Sequence, residues 1–242
     1  MNNTVQSTPV SSSQNQKIEK KYEFSNDCAL INDHFVYRIR ALRDFGDVKA
    51  GDLGGYVESE ENLSHKGDCW IYDKAMVFEN ARVFGNAKVK SFFVYIYGNA
   101  KIYGNAIFEG STLKDNARLY GNAHVSGAAN IEGNAKIYDN ACVDGHAHIS
   151  DEAVICDNAH VGANAKISGS AYICDESRVF DDAVVCDALI SGNSYIHSNA
   201  HLTRDDDIED DAYPEFGSED DYYRDEYYDE YDHDDEDDYE AA

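Results

Sequence analysis

His124, Cys142 and His160 follow one another at intervals of 18 residues, and Asp144 stands two places after Cys142. Imidazole, thiolate and carboxylate are zinc donors, so His124, Cys142 and His160 form a candidate metal set. The same histidines, together with His148, are the candidates for a general base, because imidazole titrates near neutrality. A second recurrence has a different chemistry. Arg82, Lys101, Arg118 and Lys136 each stand two residues before an aromatic ring, at Phe84, Tyr103, Tyr120 and Tyr138. A column of cations beside a column of rings suits an anionic or aromatic partner. The plainer reading is that the rings shield a sheet face while the cations keep it soluble. No nucleophile with a neighbouring base, no paired-carboxylate cleft and no phosphate-cradling glycine loop stands out, so the pattern assigns no catalytic residue.

Residues 18 apart can share a surface only if the chain returns to the same place once every 18 residues. The stretch from Cys69 to about Thr203 has the pattern to do so. An aliphatic or aromatic rung recurs at steps close to six, from Ile71, Val77, Val83 and Val89 through Ile137, Val143, Ile149 and Ile155 to Leu202, giving 23 rungs. A small residue, usually alanine, precedes most rungs by two places, and pairs such as Gly121-Asn122 or Asp139-Asn140 lie between them. Small and large apolar residues two apart point to one side of a short strand. Gly, Asp and Asn then turn the chain, because they tolerate tight or left-handed backbone. Short strands and turns in unbroken succession wind into a solenoid that buries the rungs between stacked coils.

The expected fold is therefore all-β: a single-stranded parallel β-solenoid with three hexads per coil, roughly 35 Å long at about 4.8 Å per coil. Every third rung shares a face, and one face collects Val83, Ile102, Leu119, Ile137, Ile155, Ile173 and Ile190. The basic and aromatic columns flank the first four of these. Cys156 and Cys174 follow two of the later ones, one coil apart and within reach of each other under oxidation.

Four segments are expected along the chain. Residues 1–21, rich in Ser, Asn and Gln, read as a disordered lead-in. Residues 22–68 read as an N-terminal β cap, because an open first coil would expose unpaired backbone and apolar surface. Residues 69–203 are the hexad solenoid, and residues 204–242 an acidic, Tyr-rich disordered tail. Between Asp205 and Glu240 there are 21 acidic residues, against Arg204 and Arg224, so this tail carries −19 of the net charge of −27. That charge argues against nucleic acid as a partner. The tail is expected to solubilise the protein, to dock on its own basic-aromatic face, or to capture a basic protein. Six cysteines without a C-x-x-C pair, and no secretory hydrophobic region, predict a reduced, cytoplasmic protein. No run approaches the 18 or so apolar residues of a membrane span.

The run from Tyr37 through Arg38-Ile-Arg-Ala-Leu-Arg-Asp-Phe-Gly-Asp to Gly54-Gly-Tyr-Val, followed by Glu61-Asn-Leu-Ser and Gly67-Asp-Cys-Trp-Ile-Tyr, resembles the opening of the YdcK-type β-solenoid proteins. These are common in bacteria, phages and prophages, and they are similar to hexapeptide-repeat left-handed β-helices. The resemblance covers about residues 35–202. It implies a left-handed solenoid, a phage- or prophage-associated role, and kinship with proteins labelled acetyltransferases by analogy. Hexapeptide acyltransferases usually carry a loop over the acyl donor with a histidine base beside it. Here the spacing departs from six by single residues only, so no such loop is visible. The leading expectation is a non-enzymatic scaffold or protein-binding module without a cofactor. The alternative is an acetyl-CoA-dependent acyltransferase, with His124, His148 or His160 as base at an intersubunit site of a homotrimer.

Overall fold

The computed structural model describes residues 19–209. Three longer strands come first: β1 (Tyr22–Ile31), β2 (His34–Ala41) and β3 (Leu53–Val57). They form an antiparallel meander. Then follow 23 strands of two or three residues, from β4 (Trp70–Ile71) to β26 (His201–Leu202). These stack in parallel into three sheets of eleven, eight and seven strands, the meander belonging to the first. The pairing of Lys136 with Val154 and Ile137 with Ile155 fixes the 18-residue coil. The predicted β-solenoid and the predicted sharing of faces are both observed.

Alternation explains the cross-section. In the strand Lys136–Ile137 the rung Ile137 is fully buried and its neighbours point outward. Ala135, two residues earlier, is also fully buried. The coils are joined by backbone hydrogen bonds from each strand to the next coil, such as Lys136 N–H to Ala153 O at 2.9 Å and Tyr138 N–H to Ile155 O at 3.0 Å. Polar backbone is thus satisfied between coils rather than within them.

The corners show which member of each turn pair does what. The first member holds the left-handed conformation, as at Gly121 (φ 72°) and Asp139 (φ 56°). Where that residue is Asp, its carboxylate also accepts from the corner of the next coil, as Asp151 Oδ2 does from Gly169 N–H at 3.0 Å. The asparagine that follows belongs to a side-chain ladder. Asn86, Asn105, Asn122 and Asn140 each donate from Nδ2 to the Oδ1 of the next asparagine at 3.0–3.2 Å, the ladder ending at Asn158.

The meander closes the N-terminal end by pairing β3 in parallel with Met76–Val77, while Leu63 bridges Val83 on another sheet. Trp70 fills the end of the core, edge-on to Phe45 at 5.4 Å and to Tyr22 at 6.3 Å. Lys21, assigned by composition to the lead-in, is fully buried. Its ammonium donates to Cys69 O at 2.7 Å and Gly67 O at 3.2 Å, and lies 5.0 Å from the centre of the Phe45 ring. Those partners satisfy the buried cation, though burial still pulls its pKa below the usual lysine range. The rest of the lead-in, residues 1–18, lies outside the described residues. At the other end, residues 204–208, expected in the tail, continue the ordered fold: Thr203 and Asp206 form a turn, and Ile208 pairs with Ile190. Residues 210–242, where the tail's docking was expected, lie outside the described residues.

Candidate functional site: a basic-aromatic column and its neighbours

The seven-stranded sheet sets Arg82, Lys101, Arg118 and Lys136 in register on successive coils. Two residues on, the rings form a continuous stack: Phe84 to Tyr103 at 4.8 Å, Tyr103 to Tyr120 at 4.9 Å and Tyr120 to Tyr138 at 4.9 Å, all within 6° of parallel. All eight residues of the expected binding face are therefore brought together. Rings in van der Waals contact lie about 3.5 Å apart in perpendicular distance, so centroids at strand spacing mean an offset stack. The faces of the middle rings are covered by one another, which leaves edges and hydroxyls to a partner. The stack ends at Tyr138, whose hydroxyl meets that of Tyr172 at 3.2 Å. Burial raises the pKa of Tyr120, and the Tyr172 hydrogen bond together with burial raises that of Tyr138, so both stay neutral beside the cations.

Cations on the neighbouring sheets are mixed: three are neutralised, while Lys166 and Arg178 carry no ion pair among the described residues. Lys88, Lys90 and Lys114 are paired with Asp47, Glu109 and Glu132 at 2.6–3.3 Å. Among the described residues, Arg82, Lys101, Arg118 and Lys136 have no carboxylate within ion-pair distance. Like charges at strand spacing repel one another, so an unneutralised column of four is a standing attraction for an anion. Arg82 and Lys101 also border a shallow, open depression with Glu61, Glu79 and Asn99.

The candidate histidines follow a rule that spacing alone did not reveal. Each meets a carboxylate that follows the rung of the preceding coil: His124 with Glu109 at 3.3 Å, His148 with Glu132 at 3.2 Å, and His160 with Asp144 at 2.8 Å. A carboxylate on one imidazole nitrogen orients the ring, as a general base requires. The register does place His124, Cys142 and His160 on successive coils. Yet His124 turns to Glu109, and the residues whose donor atoms converge are Cys142, Asp144 and His160.

Cys156 and Cys174 are buried free thiols on adjacent coils, and Cys156 Sγ lies 3.3 Å from the Tyr172 hydroxyl. Burial and the adjacent Asp175 push the Cys174 thiol up to about 12. A thiol reacts as its thiolate. Alkylation at neutral pH is therefore expected to label exposed Cys28 first and to leave Cys174 unmodified until the protein is denatured, a sequence that peptide mass spectrometry reads directly.

No protein-family model matches the chain. A stretch of 37 residues is 49% identical to "Uncharacterized acetyltransferase YdcK" of Escherichia coli (strain K12). That stretch is 15% of this chain and spans only 11% of the Escherichia coli protein. The likeness is local. No helix among the described residues is long and apolar enough to cross a membrane.

Proposed function

We propose that this chain is a non-enzymatic β-solenoid scaffold whose basic-aromatic face binds an acidic polypeptide segment, its own residues 210–242 being the first occupant. The observation that carries this reading is the unneutralised column of Arg82, Lys101, Arg118 and Lys136 on the very sheet by which the described chain leaves. Ile208 pairs with Ile190 as the next member of that sheet. From there the column spans roughly 19 to 34 Å along the axis, counting four to seven strand spacings. Residues 210–242 hold 17 acidic residues against Arg224. Fully extended they reach about 100 Å, so length does not limit docking.

Carbodiimide coupling of the full chain tests this, because it joins only carboxylates and amines in contact. Lys101 and Lys136 should become linked to carboxylates within 210–242 at low salt, and lose those links at high salt as screening grows. Coupling of Lys114 to Glu132, 2.6 Å apart, serves as the internal control. If that pair couples while Lys101 and Lys136 do not, the tail is not the occupant and is left open to a basic partner.

A second reading is an acyltransferase acting from an intersubunit site. It draws support from the local match to a protein named as an acetyltransferase and from the three histidine-carboxylate pairs. Heat on titrating acetyl-CoA, from a protein that sediments as a trimer, would favour it.

A further inference from the structure

We propose that Cys142, Asp144 and His160 form a binding site for one divalent transition-metal ion of the zinc class, independent of the basic face. Asp144 Oδ2 lies 2.8 Å from His160 Nε2, and the donor atoms of all three residues lie within 4.8 Å of one another. The register Cys142 to His160 and Val143 to Val161 holds the two coils side by side, so the ladder brings the three residues within reach of one another. Asp144 reaches His160 because the residue facing it is Gly162: a Cβ there would stand 2.4 Å from Asp144 Oδ1. On the far side Phe180 packs edge-on to the imidazole, with centroids 4.6 Å apart and planes at 77°, which restrains the ring.

Zinc takes thiolate at about 2.3 Å and imidazole or carboxylate at about 2.0–2.2 Å. Donors sharing one ion thus stand roughly 3.3–3.8 Å apart in a tetrahedron, so side-chain rotation of about an ångström closes this triangle around a cation. Sulfur and nitrogen donors favour zinc, cobalt or copper over magnesium or calcium. Three protein ligands on a partly exposed surface leave a fourth position to water. Three other arrangements lack part of this chemistry. The pairs of His124 with Glu109 and His148 with Glu132 are not joined by a thiol, and the group of Asp157, Cys174 and Asp175 contains no imidazole.

Cobalt(II) titration of the full chain tests the assignment, because a thiolate-to-cobalt charge-transfer band reports sulfur ligation and ignores ions held by carboxylates of the acidic tail. One equivalent should develop the band, Cys142→Ser should abolish it, and His160→Ala should raise half-saturation about tenfold or more. His124→Ala should leave it unchanged. Should Cys142→Ser lose the β circular-dichroism signal, Asp144→Asn and His160→Ala carry the test alone. Absence of the band in the full chain overturns the proposal, as does a band insensitive to Asp144→Asn and His160→Ala.

Discussion

Replacing Lys101, Arg118 and Lys136 together by glutamate is expected to lower the affinity of the solenoid for poly-L-glutamate by at least about a hundredfold. Each reversal removes an attraction worth about 1 kcal/mol at an exposed site and adds repulsion, and about 1.4 kcal/mol is a factor of ten. The three residues occupy consecutive coils of one sheet, so a linear anion lying along the axis meets them all. None has to be released from an ion pair first, unlike Lys88, Lys90 or Lys114. Calorimetric titration against poly-L-glutamate reads the change, with a chain ending at Glu209 alongside the full one. The shorter chain keeps Ile208 and its pairing to Ile190, and should bind more tightly because its intramolecular competitor is gone. The same reversal at Lys88, Lys90 and Lys114 is the control: a comparable loss there would mean that overall charge, not this column, attracts the polymer.

The fold was legible because two periods coincide in the sequence. Strand alternation told which residue of Lys136-Ile137-Tyr138 faces inward, and the recurrence of 18 told which rungs share a sheet. The columns on that sheet followed from the same arithmetic, since outward residues inherit the register of the rungs between them. Spacing does not contain the lean of a side chain. Asp144 and His160 belong to different coils, and their contact depends on the missing side chain at Gly162. For that reason the expected trio of His124, Cys142 and His160 became a cluster in which Asp144 replaces His124. Spacing marks asparagine only as a turn residue, whereas in Asn105, Asn122 and Asn140 the amide also bonds along the axis. Lys21 was hidden by the polar composition around it, and nothing local marks a lysine that will lie against Cys69 and Phe45.

Ile137→Ala should destabilise the solenoid by about 2–5 kcal/mol, the range for truncating a buried isoleucine, whereas Lys136→Ala beside it should change stability by less than about 0.5 kcal/mol. Ile137 is fully buried, and the rungs stacked on it, Leu119 and Ile155, are equally buried. A globular core can relax around a cavity from several directions. Here each coil supplies one rung per sheet, and the backbone ladder fixes the distance to the next, so collapse is restricted and the cost should fall in the upper half of that range. Position adds to the effect. A solenoid is held together by nearest-neighbour contacts, so damage at a central coil weakens both interfaces it shares, whereas Leu202→Ala, on the last strand, weakens one. Urea unfolding of Ile137→Ala, Leu202→Ala and Lys136→Ala should therefore place their midpoints in rising order. If Ile137→Ala and Lys136→Ala unfold together, Ile137 does not carry the packing that its burial implies.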